Sequence, residues 1–68
     1  MIIAYSEHAK KRMKQRGITE LEVEYILMFP RYIKKIRDRK EVLGNIKNRT
    51  IRIIILKKEN YISIITVI

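Results

Sequence analysis

His8, Arg12 and Arg16 follow one another at four-residue intervals in the run Ser6-Glu7-His8-Ala9-Lys10-Lys11-Arg12-Met13-Lys14-Gln15-Arg16-Gly17-Ile18, and His8 is the only histidine of the chain. Imidazole titrates near neutral pH, so it can take a proton from a ribose 2′-hydroxyl or give one to a departing 5′-oxygen. Two guanidiniums beside it would bind the phosphate and stabilise the charge it gains in the transition state. The competing reading of His8 is an interior or boundary histidine that makes a structural hydrogen bond.

On a helical wheel the three residues lie at about 0°, 40° and 80°, with Ala9 and Met13 next at about 100° and 140°. The polar line therefore borders the apolar stripe, whereas Glu7, Lys10 and Lys14 fall on the solvated side. Tyr5, at about 60° on the same wheel, is expected beside this site. Arg52 stands mid-strand between isoleucines, a costly position unless it is paired or reaches a cleft, and is the next candidate for the phosphate. Lys11, Arg49 and Lys57 are expected to make further nucleic-acid contacts.

Other chemistries find little material. The chain has no cysteine and a single histidine, so no zinc site is expected. The acids Glu7, Asp38, Glu41 and Glu59 are scattered, unlike the clustered carboxylates of two-metal nucleases. Gly17 and Gly44 are isolated and form no phosphate loop. No metal and no cofactor are expected.

The 68 residues make one domain with a thin core, and the net charge of +9 favours a polyanionic partner. Segment 19–30 carries Glu20, Glu22 and Glu24 and no base, so this element is expected to face away from the polyanion. Fifteen isoleucines, with abundant Lys, Arg and Glu beside one glutamine, follow the trend of heat-adapted proteins. No charged leader with a cleavage site is seen, and no apolar run reaches the ~20 residues of a membrane span. A soluble cytoplasmic protein is expected.

The elements that must position these residues can be read in order. Met1 to Tyr5 reads as a short extended lead. Ser6 is an N-cap for a helix to about Arg16, and Gly17 fits the left-handed position after it. Thr19-Glu20-Leu21-Glu22 is a capping box, so a second helix begins at Glu20 and ends before Pro30. Beyond Arg31, β-branched residues predict strands at about 32–38, 41–47, 50–57 and 61–68, with turns at Asn48-Arg49 and Glu59-Asn60. The last two strands are apolar on both faces, which predicts that they are central or that one is covered by another chain. The fold class is α+β, with two short N-terminal helices packed on an antiparallel sheet of three to four strands.

Tyr5-Ser6-Glu7-His8-Ala9, Arg12-Met13 and Arg16-Gly17-Ile18, followed by Glu22-Val23 and Leu27 before Pro30, resemble the opening of a family of small prokaryotic proteins, the domain of unknown function 4258. The resemblance extends through Arg52 to Ile64-Ile65-Thr66-Val67. That family is similar to the RelE and BrnT ribonuclease toxins of toxin–antitoxin pairs, which implies a RelE-like fold over the single domain 1–68. It also implies that His8, Arg12 and Arg16 form a site. The C-terminal catalytic groups usual in RelE-type toxins have no counterpart in the apolar strand ending at Ile68, which argues against ribosome-dependent cleavage.

The resulting expectation is a metal-independent endoribonuclease of toxin type acting on RNA, with His8 as general acid or base and Arg12, Arg16 and Arg52 on the phosphate. Two alternatives are a non-catalytic nucleic-acid-binding module and a protein-interaction subunit. In the latter, the final strand from Tyr61 pairs with a second copy or with an acidic antitoxin.

Overall fold

A computed structural model describes residues 2–68. Ile2–Tyr5 form β1, Glu7–Arg16 α1, Glu20–Met28 α2, and Tyr32–Ile36, Arg39–Ile46, Arg49–Lys57 and Tyr61–Val67 form β2 to β5. The five strands make one mixed sheet in the order β1-β5-β4-β3-β2. The α+β class and the helix pair match the reading of the sequence; the number of strands and the purely antiparallel sheet do not. The extended lead is itself a strand, paired parallel to β5 in the register Ile2 with Tyr61 to Tyr5 with Ile64. It supplies backbone partners to a side of β5 that would otherwise be an open edge.

Both late apolar strands are interior, as their composition requires. β5 is bonded to β1 over Tyr61–Ile64 and to β4 over Ile62–Val67, so little of its backbone remains to pair with a second copy or an antitoxin. Side-chain alternation then sorts the faces. Val42, Ile51, Ile53, Ile55, Ile64 and Val67 point into the core, where Ala9 and Met13 of α1 and Val23 and Ile26 of α2 cover them. α1 lies over β5 and α2 over β3. Glu41, Leu43, Asn45, Thr50 and Arg52 lie on the other face, which neither of the described helices covers.

Local chemistry fixes the joints. The Ser6 Oγ accepts from the Ala9 N–H at 3.0 Å and donates to the Ile65 carbonyl at 2.8 Å, so one hydroxyl caps α1 and ties it to β5. Ile65 is the extra residue of a β-bulge, since Ile54 faces Thr66 while Ile55 faces Ile64. Gly17 adopts φ 66° and ends α1 as expected. Thr19 and Glu22 complete the capping box of α2. The β3–β4 turn falls at Lys47-Asn48, both at positive φ, one residue before the expected position; two such residues match the right-handed twist of a hairpin. Arg37, at φ 58°, ends β2 earlier than the sequence suggests.

Candidate nucleic-acid interface

The outer side of α1 carries His8, Lys11, Arg12 and Gln15, which helical spacing brings to one side, around a hollow of about 300 Å³. His8 is exposed, which excludes an interior histidine, and among the described residues its imidazole makes no hydrogen bond. Arg12 is half-buried against the domain. His8 and Arg12 thus stand together as the spacing predicts, with Lys11 as their neighbour.

Arg16 does not join them. It lies one turn further on and lines a larger hollow, about 470 Å³, with Arg49 and Arg52 of β4, Thr50 and Ile68. Three elements build this second site. The left-handed turn at Gly17 stops the helix, and the freed Arg16 carbonyl accepts from Arg49 Nη2 at 2.8 Å. On the uncovered face, Arg52 Nε meets Glu41 Oε2 at 3.0 Å, so its two Nη groups remain for a ligand. The carboxylate is the better covered partner, with a side-chain exposure of 16% against 48% for the arginine. The Arg52 N–H and carbonyl both pair with Ile68. Strand alternation turns the Thr50 backbone the same way, beyond the end of β5, where its N–H has no strand partner.

The hollow therefore presents three guanidiniums and a main-chain N–H, with one carboxylate holding one of the arginines. Such a set of donors suits a phosphate. The model of the family described as domain of unknown function (DUF4258) matches residues 5–68. The chain belongs to this family. No curated protein and no solved structure matches it.

Two residues expected at the site of this DUF4258 protein lie elsewhere. Tyr5 points into the helix-covered side of the sheet, where its hydroxyl is buried and, among the described residues, has no hydrogen-bond partner. Burial, and then the nearby Glu20 and Glu24, push its pKa up to about 12. The wheel misplaces Tyr5 because the residue precedes the helix and belongs to a strand. Lys57 lies at the far end of β4 beside Leu27, Ile33 and Ile62, about 17 Å along the strand from Arg52.

Glu41, Thr50 and Asn45 were not candidates on sequence, yet Thr50 lines the arginine hollow and Glu41 holds Arg52 there, next to Arg31, Tyr32 and Asn45. The last three line an adjoining hollow of about 220 Å³ that shares Leu43 and Thr50 with it. The signal was present in the strand parity: with the β3–β4 turn at Lys47-Asn48, every second residue from Glu41 and from Thr50 shares one face. Among the described residues no three His, Cys, Asp or Glu side chains gather to hold a metal, and no helix is long and apolar enough to cross a membrane.

Proposed function

We propose that this protein binds RNA through its backbone phosphates, at the hollow formed by Arg16, Arg49 and Arg52. The convergence of three arginines from α1 and β4 is the observation that carries the reading. A net charge of +9 with all three carboxylates of segment 19–30 on α2 and none on α1 beyond Glu7 supports it. RNA offers phosphates together with unpaired bases, which suits a shallow surface better than a groove reader.

A second reading, metal-independent cleavage by a toxin of the RelE and BrnT kind, is favoured by a different observation. His8 is open to solvent beside Arg12 and Lys11, so a ribose hydroxyl and its phosphate could reach both. In that reading His8 moves the proton and Arg12 stabilises the phosphate charge. An acidic antitoxin would cover the same basic surfaces, and the cytoplasm is the compartment where the substrate resides. Binding ranks ahead of cleavage because, among the described residues, no side chain hydrogen-bonds the His8 ring, and Arg16 lines the other hollow.

The test is labelled single-stranded RNA titrated with the protein across a salt series, followed by separation of the RNA products. Binding should weaken with salt, by about 0.7 logarithmic units per phosphate contact and tenfold change in salt. The reading fails if Arg49→Gln and Arg16→Gln leave affinity and salt slope unchanged. Products with 2′,3′-cyclic phosphate ends from wild type, absent with His8→Ala, would establish cleavage.

A further inference from the structure

Tyr32, Leu43 and Arg52 stand in one cross-strand row on the uncovered face, since Tyr32 is the register partner of Leu43 on β2–β3 and Leu43 that of Arg52 on β3–β4. Two strand spacings separate the phenol from the arginine at the backbone, about 10 Å. Tyr32 is 50% exposed on that face, which leaves its aromatic surface open to a partner. Its ring borders the smaller hollow with Arg31, Asn45 and Thr50. The Asn45 amide, with its oxygen turned to Arg31, accepts from Arg31 Nη1 at 2.7 Å and donates to the Gly44 carbonyl at 3.2 Å. The amide is thereby held in place at the rim, next to the Thr50 hydroxyl.

We propose that these two adjoining hollows form one nucleotide site, in which an unpaired base stacks on Tyr32, with Asn45 and Thr50 at its edge, while the adjacent phosphate occupies the arginine hollow. The inference rests on the RNA reading above and adds to it the class of substrate: single strands, not duplexes. A base inside a duplex is already stacked on both sides and cannot lie on an exposed phenol. Arg31, bonded to the Asn45 amide, adds a cation at that edge, so the donors run from Arg31 through Thr50 to Arg52 and Arg49. The two halves adjoin at Leu43 and Thr50, which line both.

The experiment compares four probes on the intact protein: a single-stranded RNA, the same strand with abasic sites, the same strand annealed to its complement, and inorganic polyphosphate. Wild type should bind the single strand about 5- to 150-fold more tightly than the abasic strand, the range of one stacking contact. Tyr32→Ala should remove that preference and Tyr32→Phe should keep it, with Arg49→Gln weakening every probe alike. If Tyr32→Ala retains the preference for the single strand, or if duplex binds as tightly, the base site is wrong while the phosphate reading stands. If polyphosphate binds as tightly as every RNA, or if Arg49→Gln changes nothing, the RNA reading itself falls. Because Tyr32 is half exposed on an edge strand, both variants should keep the wild-type thermal transition, and that measurement accompanies the titrations.

Discussion

Arg49 Nη2 donates to the main-chain carbonyl oxygen of Arg16 at 2.8 Å, tying the first residue of β4 to the last turn of α1. The bond satisfies a carbonyl that the helix leaves unpaired and aims one guanidinium across the hollow. Arg49→Ala should cost about 0.5–1 kcal/mol of stability, since the bond is exposed, and should reduce the salt slope of RNA binding by about 0.7. Arg49→Lys should keep the slope, because the charge remains, while weakening the tie, because the ammonium ends one atom short of the position of Nη2. Denaturant unfolding and a salt titration of the three proteins check both halves.

What the sequence discloses and what it hides divide along the range of the interaction. Ser6, Gly17, Thr19 and Glu22 specify both helices, since capping acts within four residues, and both late strands are interior because Ile51 to Leu56 and Ile62 to Val67 have no polar face. The fifth strand was missed because Ile2–Tyr5 has meaning only once β5, almost sixty residues later, lies beside it. The same holds for the site. His8 and Arg12 meet within one helix, whereas Arg16, Arg49 and Arg52 come together only when the register of β4 and the stop at Gly17 are both set. A two-residue turn at Asn48-Arg49 in place of Lys47-Asn48 would have set Arg52 opposite Asn45 instead of Leu43, two positions further from Glu41.

The close approach of α2 to β3 makes a second prediction. A Cβ added at Gly44 would stand 2.5 Å from Ile26 Cγ2 and 2.8 Å from Cγ1, and Ile26 is fully buried. Gly44→Ala should therefore lose about 1–3 kcal/mol by overpacking. Ile26→Ala alone should lose about 2–5 kcal/mol through the cavity it leaves. The double variant should be more stable than the sum of the two losses, since the new methyl enters the space vacated by Ile26. Additive losses in a double-mutant cycle by chemical denaturation would show that the helix shifts away instead.

Tyr5 yields a third prediction, with a defined pH signature. Its hydroxyl is buried with no partner among the described residues, and its pKa is pushed up to about 12 from an ordinary 10.0, chiefly by burial. The unfolded chain releases this proton first as pH rises, so Tyr5 adds nothing below 10.0 and lowers stability progressively between 10.0 and about 12. Tyr5→Phe should remove that part of the alkaline decline and cost little or nothing at neutral pH, because an apolar edge replaces an unpaired polar atom. RNA affinity should be unchanged, as Tyr5 lies on the helix-covered side of the sheet. Thermal melts of both proteins from neutral to alkaline pH provide the check.

Glu22 gives the opposite sign at the acid end. Its carboxylate accepts from the Thr19 N–H at 2.8 Å, and that main-chain hydrogen bond, more than Lys47 or Arg49, holds its pKa below the ordinary 4.5. The unfolded carboxylate takes up its proton first as pH falls. The charged contribution is therefore complete well above 4.5 and is lost as pH drops through the lower folded value. Glu22→Gln retains an acceptor oxygen without the charge, so its deficit relative to wild type should be largest near neutral pH and should shrink on acidification. Thr19→Ala removes the other half of the capping box and should cost about 1 kcal/mol at neutral pH. Because the leading cause is a local hydrogen bond, most of the Glu22 effect should survive high salt; melts repeated in high salt that erased it would assign the effect to Lys47 and Arg49 instead.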